Sequence, residues 1–569
     1  MFYTDLSKYI VEGETSDITS ETAWRKVPYE TAEFSGVMLT MGGCTKAQPL
    51  KIKLPVSGKY RVFLGMIYVS GETTITTMKI GEDYGKFTVR NLWMQRECWL
   101  PHEWIEETYC ACEDLTDKVI TIEKPQSVAT PLTASIAYIR LEKAEETADE
   151  KSAAYVAKQN TGRMAFHLDT DFYYQNHYET PQDYMGKISQ FKDGNGGRIV
   201  LETSFNDGEA YCHKVVPNTV AQSPIDKSYL QFYPRKEAVQ QAQIDKAHEN
   251  GMEILAGMRI EAADFTYPYG QTAFNTGVVD AHPECCMFTR DGKKLAALSF
   301  AYPEVRKLTV ESLVRNSKNF DGVSLFFHRG TFVHFEKPVL DEVQARYGVD
   351  ARKLPFTDAR LHTVWCEYIT LFMRELRAAL DKNKKIDVFV FFDAQSSKHY
   401  GFDVETWAKE GLITSVSQGL MKVFEKLEGC LGDDGLIDLE KYKAENGKRK
   451  VVDREYWRNV GKFVCEGFPS FQKACAPYGV EVYGALPWER NEPIAYLNTA
   501  QELYALGAEK LVVWNGNHIA EMQNTLGAVK ACGDKENIEK HKAREWQKYY
   551  RVLSFDGNDI SSIDPNWRG

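Results

Sequence analysis

Acids, amides, cations and Trp recur just beyond short apolar runs between residues 161 and 530, a pattern that suits sugar chemistry. Cleaving a glycosidic bond takes two carboxyl groups, one protonating the leaving oxygen and one acting as nucleophile or water-activating base. The expected pair is Glu336 and Glu489, after the fourth and seventh runs, with Asp393, directly beyond Val388 to Phe392, as the third catalytic candidate. Asp171 and Glu261 are alternates. A helix cap before Pro338 competes with the catalytic reading of Glu336, and an ion pair with Arg490 competes with that of Glu489. Substrate binding is expected from Asp169, Asp171, Glu202, Arg259, Glu261, His328, Arg329, Gln418, Trp488, Asn515 and His518. Arg259, His328 and Arg329 would suit an anionic substrate group or would neutralise the ring of acids.

His167, Asp169 and Asp171 alternate along one run, so all three can face one side of a strand. That spacing leaves a metal-dependent hydrolase or lyase open as an alternative, as is a non-catalytic carbohydrate-binding barrel. No second ligand cluster such as HExxH accompanies the three residues, and neither a metal nor another cofactor is expected. Trp514 stands where a sugar platform would lie or where the barrel interior would need filling.

Eight elements must position these residues. Apolar runs at Arg163 to Leu168, Arg198 to Leu201, Met252 to Met258, Gly322 to Phe327, Ile386 to Phe392, Leu412 to Val416, Val480 to Leu486 and Lys510 to Trp514 alternate with amphipathic helical stretches. Such a rhythm predicts a parallel (β/α)8 TIM barrel, with its active site at the strands' C-terminal ends. Asp321, just before the fourth run, then falls on the opposite, structural face. The fragment Asp193-Gly194-Asn195-Gly196-Gly197 precedes a strand, so it reads as a turn and not as a phosphate loop.

Residues 1–143 differ in character, with short alternating runs such as Tyr60 to Leu64 between turn residues, the pattern of an antiparallel β-sandwich. Trp93, Trp99 and Trp104 are candidate glycan platforms there. Residues 144–160 read as a linker helix, 161–530 as the catalytic α/β barrel and 531–569 as a C-terminal extension.

The 569 residues, 43% apolar and 26% charged, are enough for two cores. A net charge of -11 disfavours a nucleic-acid partner, because neutralising phosphates needs clustered Lys and Arg. A carbohydrate partner fits better, and 12% aromatic residues offer flat faces for sugar rings. The opening MFYTDLSKYIVEGE lacks a basic and then apolar leader, and no long apolar run follows, so a cytoplasmic address with no membrane partner is expected. The 12 Cys lack CxxC spacing and read as free structural thiols. A homo-oligomer is compatible with the sequence.

Two resemblances follow from particular residues. Ala134 to Leu141 resembles the last strand of the jelly-roll modules attached to carbohydrate-active enzymes. His282-Pro283-Glu284 with Asp291-Gly292-Lys293, Leu298 to Arg306 and Phe320-Asp321-Gly322-Val323 resemble the central part of the glycosyl-hydrolase-like barrel proteins called family-ten-like. So do Phe335 to Leu340, Arg346 to Asp350 and Phe372 to Arg377. The likeness covers about residues 160 to 520 and implies a glycosidase-type barrel, but it transfers no catalytic pair. Where the clan pattern has an Asn-Glu dipeptide after strand four, this chain has none, and Glu336 comes several residues later.

Overall fold

The computed structural model describes residues 1–42, 47–67, 73–81, 87–90, 104–124, 132–144, 155, 157, 159–168, 185–191, 194–205, 236–260, 282–327, 332–420, 461–487, 491–521 and 523–560. Eight parallel strands close a barrel in sequential order. They are β1 (Met164–Leu168), β2 (Gly196–Phe205), β3 (Glu253–Arg259), β4 (Gly322–Phe326), β5 (Lys385–Phe389), β6 (Ser415–Ser417), β7 (Glu481–Ala485) and β8 (Lys510–Val513). Closure runs through Phe166, which is in register with Ile199 of β2 on one side and Val513 of β8 on the other.

Every expected run contributes a strand because barrel strands are covered on both faces and so stay apolar along their length, as in the fully buried β4. The ends are less regular. Val390 and Phe391 are buried but lie beyond β5, and Leu412 and Ile413 are buried before β6 begins. Apolar content there reflects packing under the helices and not the ladder.

Helices α1 (Pro303–Asn316), α2 (Lys337–Tyr347) and α3 (Ala359–Ala379) cover the β4 and β5 side. Proline in the first turn suits α1 and α2, since those amides have no intrahelical acceptor. The Asp358 carboxylate caps α3 by accepting from the Arg360 amide at 2.9 Å. Asp321 accepts from the Ile254 amide at 2.8 Å, tying the N-terminal ends of β3 and β4 as a structural residue.

Inside the barrel, the two-residue period puts Arg198, Val200 and Glu202 on one face of β2. Around Arg198 the floor is polar. Its Nη1 donates to Asp387 Oδ1 at 3.3 Å and Ser415 Oγ at 2.8 Å, its Nε pairs with Glu253, and its guanidinium lies over the Tyr483 ring at 4.4 Å. Asp387 also accepts from Ser324 at 2.6 Å, Ser415 at 2.6 Å and Ser417 at 3.1 Å. Burial pushes the Asp387 carboxyl up, against the pull of Arg198 and these hydroxyls.

Apart from a two-stranded hairpin, the other strands form the mainly antiparallel β-sandwich, whose core includes Trp24, Leu39, Val62, Leu64 and Ile122. Its membership extends beyond the first 143 residues. Strand Lys548–Phe555, in the segment expected as an extension, pairs with Trp104–Asp114 on one edge and Trp24–Thr31 on the other. An ion pair from Arg25 to Asp556 at 2.6 Å fastens the return. The sandwich rests on the barrel through Asn524 of helix Gln523–Cys532, which accepts from the Tyr109 amide at 3.2 Å and donates to the Glu107 carbonyl at 2.8 Å. Most of the expected linker helix, like Trp93 and Trp99, lies outside the described residues. The described cysteines are all free, and no helix among the described residues is long and apolar enough to cross a membrane.

Candidate active site

The barrel mouth gathers side chains from β1, β2, β3 and the turn after β8. Glu202, at the upper end of β2 and fully buried, lies with Oε1 2.7 Å from Arg259 Nε and Oε2 3.3 Å from Arg259 Nη2. Arg259 is the last residue of β3, and parallel registry places these ends side by side. His167 of β1 brings Nε2 to 3.7 Å from Glu202 Oε2. Its Nδ1 accepts from the Asn515 amide at 3.4 Å, so in the neutral ring the proton sits on Nε2, facing the carboxylate. Asn515 has a left-handed φ of 54°, a conformation that Asn tolerates and that turns its amide toward the imidazole.

Aromatic rings hold this histidine. Trp514 stacks on it at 3.8 Å between centroids and 12° between planes, and Phe326 meets it edge-on at 4.9 Å. Phe389 completes the layer, 4.7 Å from Trp514. Gly257 makes room for the layer, since a Cβ there would sit 2.6 Å from Phe326. One face of Trp514 is therefore covered by imidazole, and the ring fills the barrel at that face.

Other candidates are engaged elsewhere. Asp393 is half-buried and caps a short helix, α4 (Ala394–His399), accepting from the Ser396 amide at 2.7 Å and the Ser396 hydroxyl at 2.6 Å. Gln418 is buried, donating to the Phe392 and Val464 carbonyls at 2.7 and 2.9 Å and accepting from the Ala485 amide at 3.1 Å. That amide clamps three loops together. His518 is half-buried on the helix Gly516–Glu521.

Glu336 precedes α2 and is fully buried, yet its side chain caps no helix. It accepts from the Ser299 hydroxyl and from the His334 amide at 3.0 Å. Ser299 follows the hairpin Cys286–Phe288 with Lys294–Leu298, so this carboxyl joins the loop after β3 to the loop after β4. Burial pushes it up to about 7, against those hydrogen bonds. A general acid needs a proton near neutral pH, but here enclosure both raises the affinity and surrounds the group with protein.

Asp169, Asp171, Glu261, His328, Arg329, Trp488 and Glu489 lie outside the described residues. Among the described residues, no group of three His, Cys, Asp or Glu is placed to hold a metal ion. The role of His167 beside Glu202 could have been suspected from its position two residues before Asp169 on an inward face. Arg198 and Asp387 were missed as a pair, although a charge inside each apolar strand was the visible signal.

No family model matches the chain, and no curated protein matches it. Among solved structures it is similar in part to the β-galactosidase from the psychrophilic Marinomonas ef1, at 8% identity over 66% of this chain and 59% of that one, TM-score 0.39. It is likewise similar to α-L-fucosidase isoenzyme 2 from Paenibacillus thiaminolyticus, at 15% over 66% and 50%, TM-score 0.36. A Podospora anserina β-(1,4)-mannanase matches over 90% of this chain and 94% of its own, at 8% identity and TM-score 0.30. The chain thus spans 59% and 50% of the first two enzymes' lengths. Similarity this low carries no argument about function, and the barrel is read from its own strand ladder.

Proposed function

We propose that this chain is a glycoside hydrolase working at the C-terminal mouth of its barrel. The observation that carries the reading is convergence: His167, Glu202 and Arg259 leave β1, β2 and β3 and meet beside Asn515, within an aromatic layer. A few placed polar groups against apolar walls suit a sugar, which presents hydroxyls at its rim and C–H groups on its faces. Glu489 is retained as one catalytic carboxyl, with Asp169, Asp171 or Glu261 as its partner. Glu336 and Asp393 are set aside from that pair because their oxygens are occupied by Ser299, the His334 amide and Ser396. The sandwich buttresses the barrel in this reading.

Hydrolysis of a broad panel of chromogenic glycosides tests it. Turnover by wild type, lost in Glu489→Gln and in one of Asp169→Asn, Asp171→Asn or Glu261→Gln, is the expected result. A wild type that turns over nothing would sink it, and sugar binding without turnover would favour a non-catalytic carbohydrate-binding barrel.

A further inference from the structure

We infer that His167 Nε2 and Glu202 Oε2 together form a slot that binds one hydroxyl group of a neutral sugar alongside them, and that this slot sets which sugar the barrel accepts. The inference rests on the reading of the mouth as a carbohydrate site. His167 Nε2 and Glu202 Oε2 are a donor and an acceptor 3.7 Å apart, too far for a direct hydrogen bond. Both side chains are fully buried, and Nε2 has no hydrogen-bond partner among the described residues. A buried polar group left this way signals a missing water or ligand, because leaving it unpaired costs free energy.

Neither group is placed to close the gap by itself. The imidazole is stacked on Trp514, edge-on to Phe326 and engaged at Nδ1 by the Asn515 amide. The carboxylate is held through both oxygens by Arg259. The pair therefore suits a group that accepts from an N–H and donates to a carboxylate at once. A hydroxyl does both. A carboxylate, such as that of a uronate, would be repelled by Glu202, an ammonium would meet Arg259, and a deoxy position would leave donor and acceptor unpaired. Arg259, expected to greet an anion, is committed to Glu202, which turns the preference toward neutral sugars.

Calorimetric titration of the full chain with methyl glycosides of common neutral hexoses and pentoses, each with its monodeoxy series, tests the slot. In wild type, removing one particular hydroxyl is expected to weaken binding about 10- to 100-fold, the scale of leaving buried polar groups unpaired. His167→Phe keeps the ring stack but lacks Nε2, and Glu202→Gln keeps the length but lacks the charge. Each is expected to bind the parent sugar more weakly and to lose the selectivity against that one deoxy analogue. Circular dichroism and thermal unfolding establish that the variants fold, and if His167→Phe does not, Glu202→Gln carries the test. Equal binding of every deoxy analogue, selectivity retained in the variants as expected of a slot that holds only water, or no binding of any sugar by wild type would each overturn the inference. Selective binding without turnover would leave the slot standing and remove hydrolysis, whereas turnover without deoxy selectivity would do the reverse.

Discussion

Arg198 and Glu202 stand on the same inward face of β2, about 13 Å apart at the usual rise per residue, and they belong to different networks. At the floor, Asp387 takes hydrogen bonds from three serines and from Arg198. At the mouth, Glu202 has its arginine, but the imidazole beside it stops 3.7 Å away with Nε2 unsatisfied. The Asp387 carboxylate is surrounded by donors and serves as scaffold, although Arg198 Nη2 too lacks a hydrogen-bond partner among the described residues, 3.6 Å from Glu481. What sets the mouth apart is that its unpaired donor faces a carboxylate it does not reach, at the end of the barrel where a ligand enters. The position agrees, because the N-terminal face of such barrels carries stability and the C-terminal face carries chemistry.

The sharpest way to break this contrast is at the floor. Asp387→Ala takes one of its two hydrogen-bonded carboxylates from Arg198 and leaves three buried serine hydroxyls without their acceptor, and the expected loss is about 3 to 5 kcal/mol in denaturant unfolding, with sugar selectivity of the remaining folded protein unchanged. A change of selectivity would mean that the floor is not mere scaffold.

Glu336 offers the next largest effect. Its carboxyl moves from an ordinary 4.5 to about 7 on burial, so the folded state holds a proton that the unfolded chain has released. Stability should therefore fall as pH rises from 4.5 to 7, by about 3 kcal/mol in total, and change little from this source above that. Glu336→Gln should flatten the slope measured by unfolding at a series of pH values while leaving turnover intact. Lost turnover in a folded Glu336→Gln protein would return this residue to the catalytic pair.

At the mouth, Glu202→Gln should lower kcat/KM about 10²-fold, the scale of one charged hydrogen bond lost to substrate, with a smaller fall in stability than Asp387→Ala. Equal effects on both would erase the distinction between the two networks. The smallest effect belongs to Asp393→Ala, which should cost about 1 kcal/mol as a lost helix cap and leave kcat unchanged in steady-state assays.

How far the sequence could be read depends on the range of the interactions. The barrel was legible because each strand is buried on both sides and announces itself by a run of four to seven apolar residues near the observed position, as at Gly322 to Phe327. The place of Asp393 was not legible because Val390 to Phe392 continue the apolar run of β5 after the ladder has ended, which carries the aspartate into the cap of α4. The surroundings of Glu336 were not legible because its partner Ser299 follows a hairpin in another loop. Strand Lys548–Phe555 alternates as a strand should, yet nothing local tells it to insert between partners more than 400 residues away.

What the sequence determined by itself was therefore periodic: eight βα units, a β-rich first region, and polar residues at the ends of apolar runs. Periodicity is a property of neighbours in the chain, and it survives without knowledge of the fold. Only tertiary structure decided which polar groups are already satisfied. Asp387 and Gln418 look as functional in sequence as Glu202 and His167. Whether a buried donor finds an acceptor depends on distances across the barrel, such as the 3.7 Å that separates His167 Nε2 from the Glu202 carboxylate.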